Sequence, residues 1–256
     1  MPHLTAGPDY DPAFGQEQDT LDNAAAIGGS AVAREWSTEW SISIVAGLCL
    51  FFAIRTFGIE AYRIPTGSME NTLLAGDFVL VNKAIYGSPI PLTSARVPGF
   101  AEPHRGDVIV FVPPHERDKN YVKRLIAAPG DTIEMRDKVV LVNGQAIQEP
   151  YAHYHDVADA LTPGGFWQCR YTLNARSDYC NPSRDNWGPI VVPQDRYLVL
   201  GDNRDDSEDS RYWGFVGRDS ILGRPLIVYF SLGKPDSHHL TWKSRVRWDR
   251  LGLAVR

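Results

Sequence analysis

An uncharged apolar run from Ser41 to Ile54 places the first constraint on this chain. Its fourteen residues must leave water, either for a protein core or for a lipid bilayer. A spanning helix wants about 20 apolar residues. Trp36 and Trp40 before the run, and Phe57 and Ile59 beyond Arg55, lengthen it. Arg55 can snorkel to the interface. Residues 39–58 are therefore read as a transmembrane anchor, with a buried core helix as the alternative. Residues 1–38 are rich in Asp, Pro, Ala and Gly, lack hydrophobic periodicity, and are read as a disordered acidic tail. They do not form a secretory signal, because the apolar run starts late and no basic region precedes it. Up to residue 39, seven acidic groups face one Arg, about −6 of a total of −5, so the remainder is near +1. That balance gives no reason to expect nucleic acid as a partner. Arg34 lies on one side of the run and Arg55 and Arg63 on the other, so charge alone does not orient it.

Past the anchor, residues 59–256 carry short apolar runs between turn signals. Gly76-Asp77 opens Phe78–Val81. Arg105-Gly106-Asp107 opens Val108–Val112, and Pro113-Pro114 closes it. Tyr121–Ala127 follows. Val139–Val142 runs into Asn143-Gly144, a hairpin signal. Ile190–Val192, Tyr197–Leu200 and Leu226–Phe230 complete the set, with Pro225 at the entry to the last. No helix-length amphipathic stretch separates them. The fold class is mainly β. Residues 87–104, with four prolines, form a loop. Residues 145–188 show little periodicity and are read as an inserted subdomain. They hold Cys169 and Cys180, which are either bridged or both free. Residues 240–256 mix Trp242 and Trp248 with basic residues and are read as a solvated surface segment, with anionic lipid as a possible contact.

The chemistry centres on Ile64-Pro65-Thr66-Gly67-Ser68-Met69. Pro65 fixes its own φ and extends Ile64. Gly67 allows a tight bend. Ser68 is thus displayed on a turn, with the Thr66 hydroxyl nearby. That is a seat for a nucleophile beside an oxyanion-binding group. The seven histidines lie in loops or in the tail, which disfavours a Ser-His-Asp arrangement. No H-x-x-x-H or C-x-x-C is present, so no metal site is expected. Lys123 is the unusual residue. Strand alternation puts it on one face with Tyr121 and Leu125. Lysines there usually snorkel to the surface. An enclosed one loses its charge to desolvation and can take a proton from Ser68.

Read together, these stretches resemble the bacterial type I signal peptidases over roughly residues 40–230. The apolar anchor, Ile64–Met69, Gly76–Val81, Arg105–Phe111, Tyr121–Asp131 and Gly201–Val216 occur in that order. The resemblance implies a membrane-anchored serine endopeptidase that removes signal peptides from secreted preproteins with a Ser/Lys dyad. Ser68 would be the nucleophile and Lys123 its base. The Ser68 N–H and the Thr66 hydroxyl would form the oxyanion hole. Ser207 would orient Lys123, and Asp209 and Arg211 would form a supporting ion pair. Ile64, Met69, Leu73, Tyr121 and Val122 would wall the substrate pockets. No metal and no organic cofactor are implied. The partners would be signal peptides and the phospholipid bilayer. The catalytic region would lie on the periplasmic side of the bacterial inner membrane, with a single pass and a cytoplasmic tail. A specialised peptidase for conjugation or pilus precursors, or a non-catalytic anchored binding domain of the same fold, are the alternatives. The family usually has Pro where this chain has Asn71.

Overall fold

The computed structural model describes residues 40–90, 93, 95–162, 164–172, 181–233 and 245–256. The expected tail, 1–38, lies outside them. Two compact units part between Ala53 and Ile54. Helix α1, Trp40–Gly58, is 19 residues long and apolar enough to cross a membrane. At 1.5 Å per residue it spans about 28 Å, close to a hydrocarbon core. None of its apolar window is buried. A soluble helix would hide one face; here Leu50, Phe51 and Phe52 are all exposed.

Everything after α1 is built on two antiparallel sheets. The larger contains β1 (Ile59–Arg63), β2 (Asp77–Asn82), β3 (Val108–Phe111), β4 (Tyr121–Ala127), β9 (Arg196–Leu200), β10 (Val216–Gly217) and β11 (Ile221–Ser231). Its order is β1-β2-β11-β3-β4-β9-β10. The smaller contains β5 (Thr132–Arg136), β6 (Val139–Val142), β7 (Gln145–Ala146) and β8 (Trp187–Val191), in the order β7-β6-β5-β8. β2 alternates buried and half-buried residues, as a strand with one core face should. β11 pairs with both β2 and β3, and its register shifts beside Pro225, where a missing N–H is tolerated. Asn143 and Gly144 both have positive φ, as a type I′ hairpin turn between β6 and β7 requires.

Three differences from the sequence reading have physical causes. β1 carries Glu60 and Arg63 on an edge strand, so its apolar alternation is diluted. The smaller sheet begins at Thr132, and the irregular excursion runs from β7 to β8 as a loop of that sheet. Within it Cys169 is disulfide-bonded, while Cys180 lies outside the described residues. Finally, residues 245–256 are not a solvated tail. Val246 and Val255 are buried, and bridges join Leu232 to Val246 and Ile227 to Ala254. Arg250 donates Nη2 and Nε to Asp77 at 2.6 and 3.0 Å. Burial alone would raise the Asp77 carboxyl, but Arg250, Ser231 and the Leu74 N–H hold it below its ordinary value. Trp242 and Lys243 lie outside the described residues.

Candidate active site

The Ser68 turn is an excursion between β1 and β2 whose neck is closed by backbone bonds. Ile64 N–H donates to Asp77 O, and Gly76 N–H to Ile64 O, both at 2.8 Å. Ile64, Met69 and Leu73 are buried in one apolar cluster with Val79, Val110 and Val255. Ser68 is thus held between anchored neighbours. Its carbonyl accepts from the Asn203 backbone at 3.1 Å, and Gly67 O accepts from Asn203 Nδ2 at 3.2 Å. Gly201 makes this approach possible. A Cβ there would stand 2.5 Å from Ser68 O and 2.1 Å from Ser207 Oγ. Asn71 has φ of 80°, in the left-handed region that asparagine tolerates. Proline cannot adopt it.

Lys123 sits on β4 opposite Ile109 of β3 and is 4% exposed. Its Nζ lies 2.6 Å from Ser68 Oγ. Among the described residues no carboxylate comes within ion-pair distance of this amine. Burial pushes its pKa down to about 8, against a pull upwards from Asp209. Asp209 and Arg211 pair at 2.8 Å with both side chains enclosed. Arg211 and the Gly201 N–H outweigh the burial that would otherwise raise the Asp209 carboxyl. Asp209 also caps the short helix α2, Ser210–Trp213. The pair therefore stiffens the Gly201–Asp209 segment. Ser207 is buried in that segment, but its hydroxyl makes no hydrogen bond to Lys123 here.

A cavity of about 440 Å³ opens over Ser68 and Lys123. Ile64, Met69, Tyr121 and Val122, read as pocket walls, are in its lining, and so is Thr66, read as an oxyanion group. Leu73 is not: it is wholly buried and supports Met69 from behind, so nearness in sequence to Ser68 misplaced it. Tyr62, Val110, Lys119, Asp206 and Glu208 join the lining and were missed, because no local pattern marks them. β9 meets β4 only from Arg124 onward. Among the described residues, Tyr121 to Lys123 are thus paired on the β3 side alone, which leaves an open strand edge along the cavity.

Beside the cleft wall at Asp206, donor atoms of His155, Asp156 and Asp205 gather within 4.8 Å. Arg184 pairs with both carboxylates, at 2.8 Å to Asp156 and 3.2 Å to Asp205. His155 and Asp156 are adjacent in sequence but Asp205 is not, so a search for short metal-ligand spacings could not have found the cluster.

A serine hydroxyl touching an enclosed amine, beside an apolar cleft on a β scaffold, is the arrangement of a serine hydrolase. Comparison with known proteins gives the same class. The profile of the family described as "Signal peptidase, peptidase S26" matches residues 37–230. A signal peptidase I of Pseudomonas fluorescens is 34% identical over 224 residues, covering 81% of this chain and 78% of its own. One of Rickettsia akari is 33% identical over 230 residues, covering 82% and 84%. A crystal structure of a signal peptidase I from Enterococcus faecalis V583 is 31% identical, with a TM-score of 0.35, over 48% of this chain and 97% of that one. The chain belongs to the signal peptidase family. It is a serine endopeptidase of the signal peptidase I type.

Proposed function

We propose that this protein removes signal peptides from secreted preproteins, with Ser68 as nucleophile and Lys123 as general base. The observation that carries the reading is the 2.6 Å contact between Ser68 Oγ and an amine that, among the described residues, has no carboxylate within ion-pair distance. With a pKa of about 8, roughly a tenth of Lys123 is neutral at pH 7. In that form Nζ accepts the Ser68 proton, and Oγ attacks the carbonyl carbon of residue −1. The Ser68 N–H and the Thr66 hydroxyl stabilise the oxyanion. Lys123 then hands its proton to the departing amine, which leaves as the new N-terminus. Water, deprotonated by Lys123, splits the ester and regenerates Ser68. Ser207 is a positioning residue that meets the amine once substrate fills the cleft, and Asp209 with Arg211 fixes the segment that presents it.

The substrate lies extended and adds a strand to the open edge at Tyr121–Lys123. Ile64, Met69, Tyr121 and Val122 form the −1 and −3 pockets and admit only small side chains. Helix α1 anchors the chain in the inner membrane, with residues 1–38 in the cytoplasm and 59–256 in the periplasm. A panel of unrelated preproteins tests the reading. General processing is expected, and Leu for Ala at −1 should block it. Cleavage of a single conjugation or pilus precursor would point to the specialised alternative, and cleavage of none to a binding domain. A reporter active only in the periplasm, fused after residue 230, should give signal.

A further inference from the structure

Two carboxylates sit on the otherwise largely apolar lining of the cleft, on either side of Ser207. Asp206 and Glu208 are 71% and 61% exposed at the side chain. Among the described residues neither has a Lys or Arg within ion-pair distance. Glu208 Oε1 lies 3.5 Å from His115 Nε2, and Asp206 Oδ2 lies 3.9 Å from His155 Nε2. The basic groups on the same lining are otherwise engaged. Lys119 is held by Glu116 at 2.6 Å, and the Arg63 guanidinium stands over the Phe78 ring. The acidic wall thus has no direct lysine or arginine partner among the described residues, although the Lys119 ammonium stands near enough to feel Glu208. Its proximity to the reacting groups shows in its field, since Glu208 acts on both Tyr121 and Lys123. Ser68 fixes where the scissile bond must lie. Glu208 and Asp206 line the same cavity as Ser68 and Lys123, so substrate residues that flank the scissile bond pass along their wall.

Resting on the function proposed above, we infer that Glu208, assisted by Asp206, is a specificity-determining residue that selects a basic side chain next to the scissile bond. A substrate Lys or Arg meets a solvated carboxylate without having to displace a lysine or arginine. A substrate Glu or Asp meets like charge. An ion pair of this exposure discriminates by a small factor, and salt weakens it.

Steady-state cleavage by the full chain in detergent tests this. The parent peptide has Ala at −1 and −3, and its variants carry Lys or Glu at −2, +1 or +2. Wild type should favour Lys over Glu by about threefold to fivefold in kcat/KM at one of these positions at low salt. The ratio should shrink as salt is raised. Glu208→Gln should erase it and Glu208→Lys should invert it; if Glu208→Lys fails to fold, Glu208→Gln alone decides. Equal rates for Lys and Glu at all three positions would overturn the inference while leaving the proposed function standing. So would a preference that survives in Glu208→Gln. A parent peptide left uncut would overturn the function itself, and this inference with it.

Discussion

Lys123 and Arg124 are consecutive residues of β4, and each is almost fully buried, yet their surroundings differ in kind. On one face of the strand Arg124 donates to both oxygens of Asp202, at 2.8 and 2.7 Å, and to Gly106 O at 2.8 Å. Its guanidinium also reaches Thr72 Oγ1 and Arg256 O and lies 3.8 Å from the centre of the Tyr151 ring. On the other face Lys123 Nζ meets one hydroxyl and stands over the Tyr121 ring, 5.6 Å from its centroid. A buried cation with a matched carboxylate keeps its charge and joins distant parts of the chain. A buried cation without one gives up its proton easily, and that makes it a base. On the proposed mechanism, structure and chemistry share one strand, divided by its alternation.

The largest expected effect is on catalysis. Ser68→Ala and Lys123→Ala should each cost on the order of 10⁴-fold or more in kcat/KM, and the double variant should be no worse, because the two act as a unit. Lys123→Arg should be as inactive as Lys123→Ala, since guanidinium keeps its proton. Rate measurements on these four proteins check it. Should a single histidine variant be silent while Lys123→Ala remains active, the contrast between the two faces fails.

Stability should respond to the same substitution with opposite signs at the two positions. Arg124→Met strands the Asp202 carboxylate and should destabilise the fold by about 3–5 kcal/mol. Adding Asp202→Leu should recover much of that loss, as urea unfolding followed by tryptophan fluorescence would show. Lys123→Met removes an amine whose charged form burial penalises, and should stabilise. The folded pKa is about 8, below the ordinary lysine value of 10.5. Below pH 8 both states are charged and the full penalty is present, on the order of 3 kcal/mol at about 1.36 kcal/mol per pKa unit. Between about 8 and 10.5 the unfolded chain binds more protons, so the wild type gains stability as pH rises and the advantage of Lys123→Met fades. A destabilising Lys123→Met at pH 7 would mean that the amine has a favourable partner after all.

How much of this contrast the sequence carried depends on the range of each interaction. Ser68 and Lys123 were legible because local signs mark them: a Pro-x-Gly turn before one, and a cation inside an apolar strand for the other. Asp202 was legible only as part of a familiar block. Its partner Arg124 is 78 residues away, and no spacing rule connects them. Asp77 looked like a turn residue after Gly76, yet its role is set by Arg250, 173 residues on. The same distance effect hid the buried C-terminal segment, whose arginines read as solvated until their acceptors were known. Leu73 failed the other way, being near Ser68 in sequence but behind the cleft wall in space.

The central claim is that burial without a carboxylate partner, and not contact with Ser68 alone, makes Lys123 a base. Titration of the lysine ε-amines by heteronuclear NMR, with Lys123→Met to assign the resonance and Ser68→Ala to remove the hydroxyl, tests it most directly. The account predicts a Lys123 midpoint near 8 in the wild type, still well below that of a free lysine in Ser68→Ala. A midpoint near the ordinary lysine value of about 10.4 in the folded protein would contradict it.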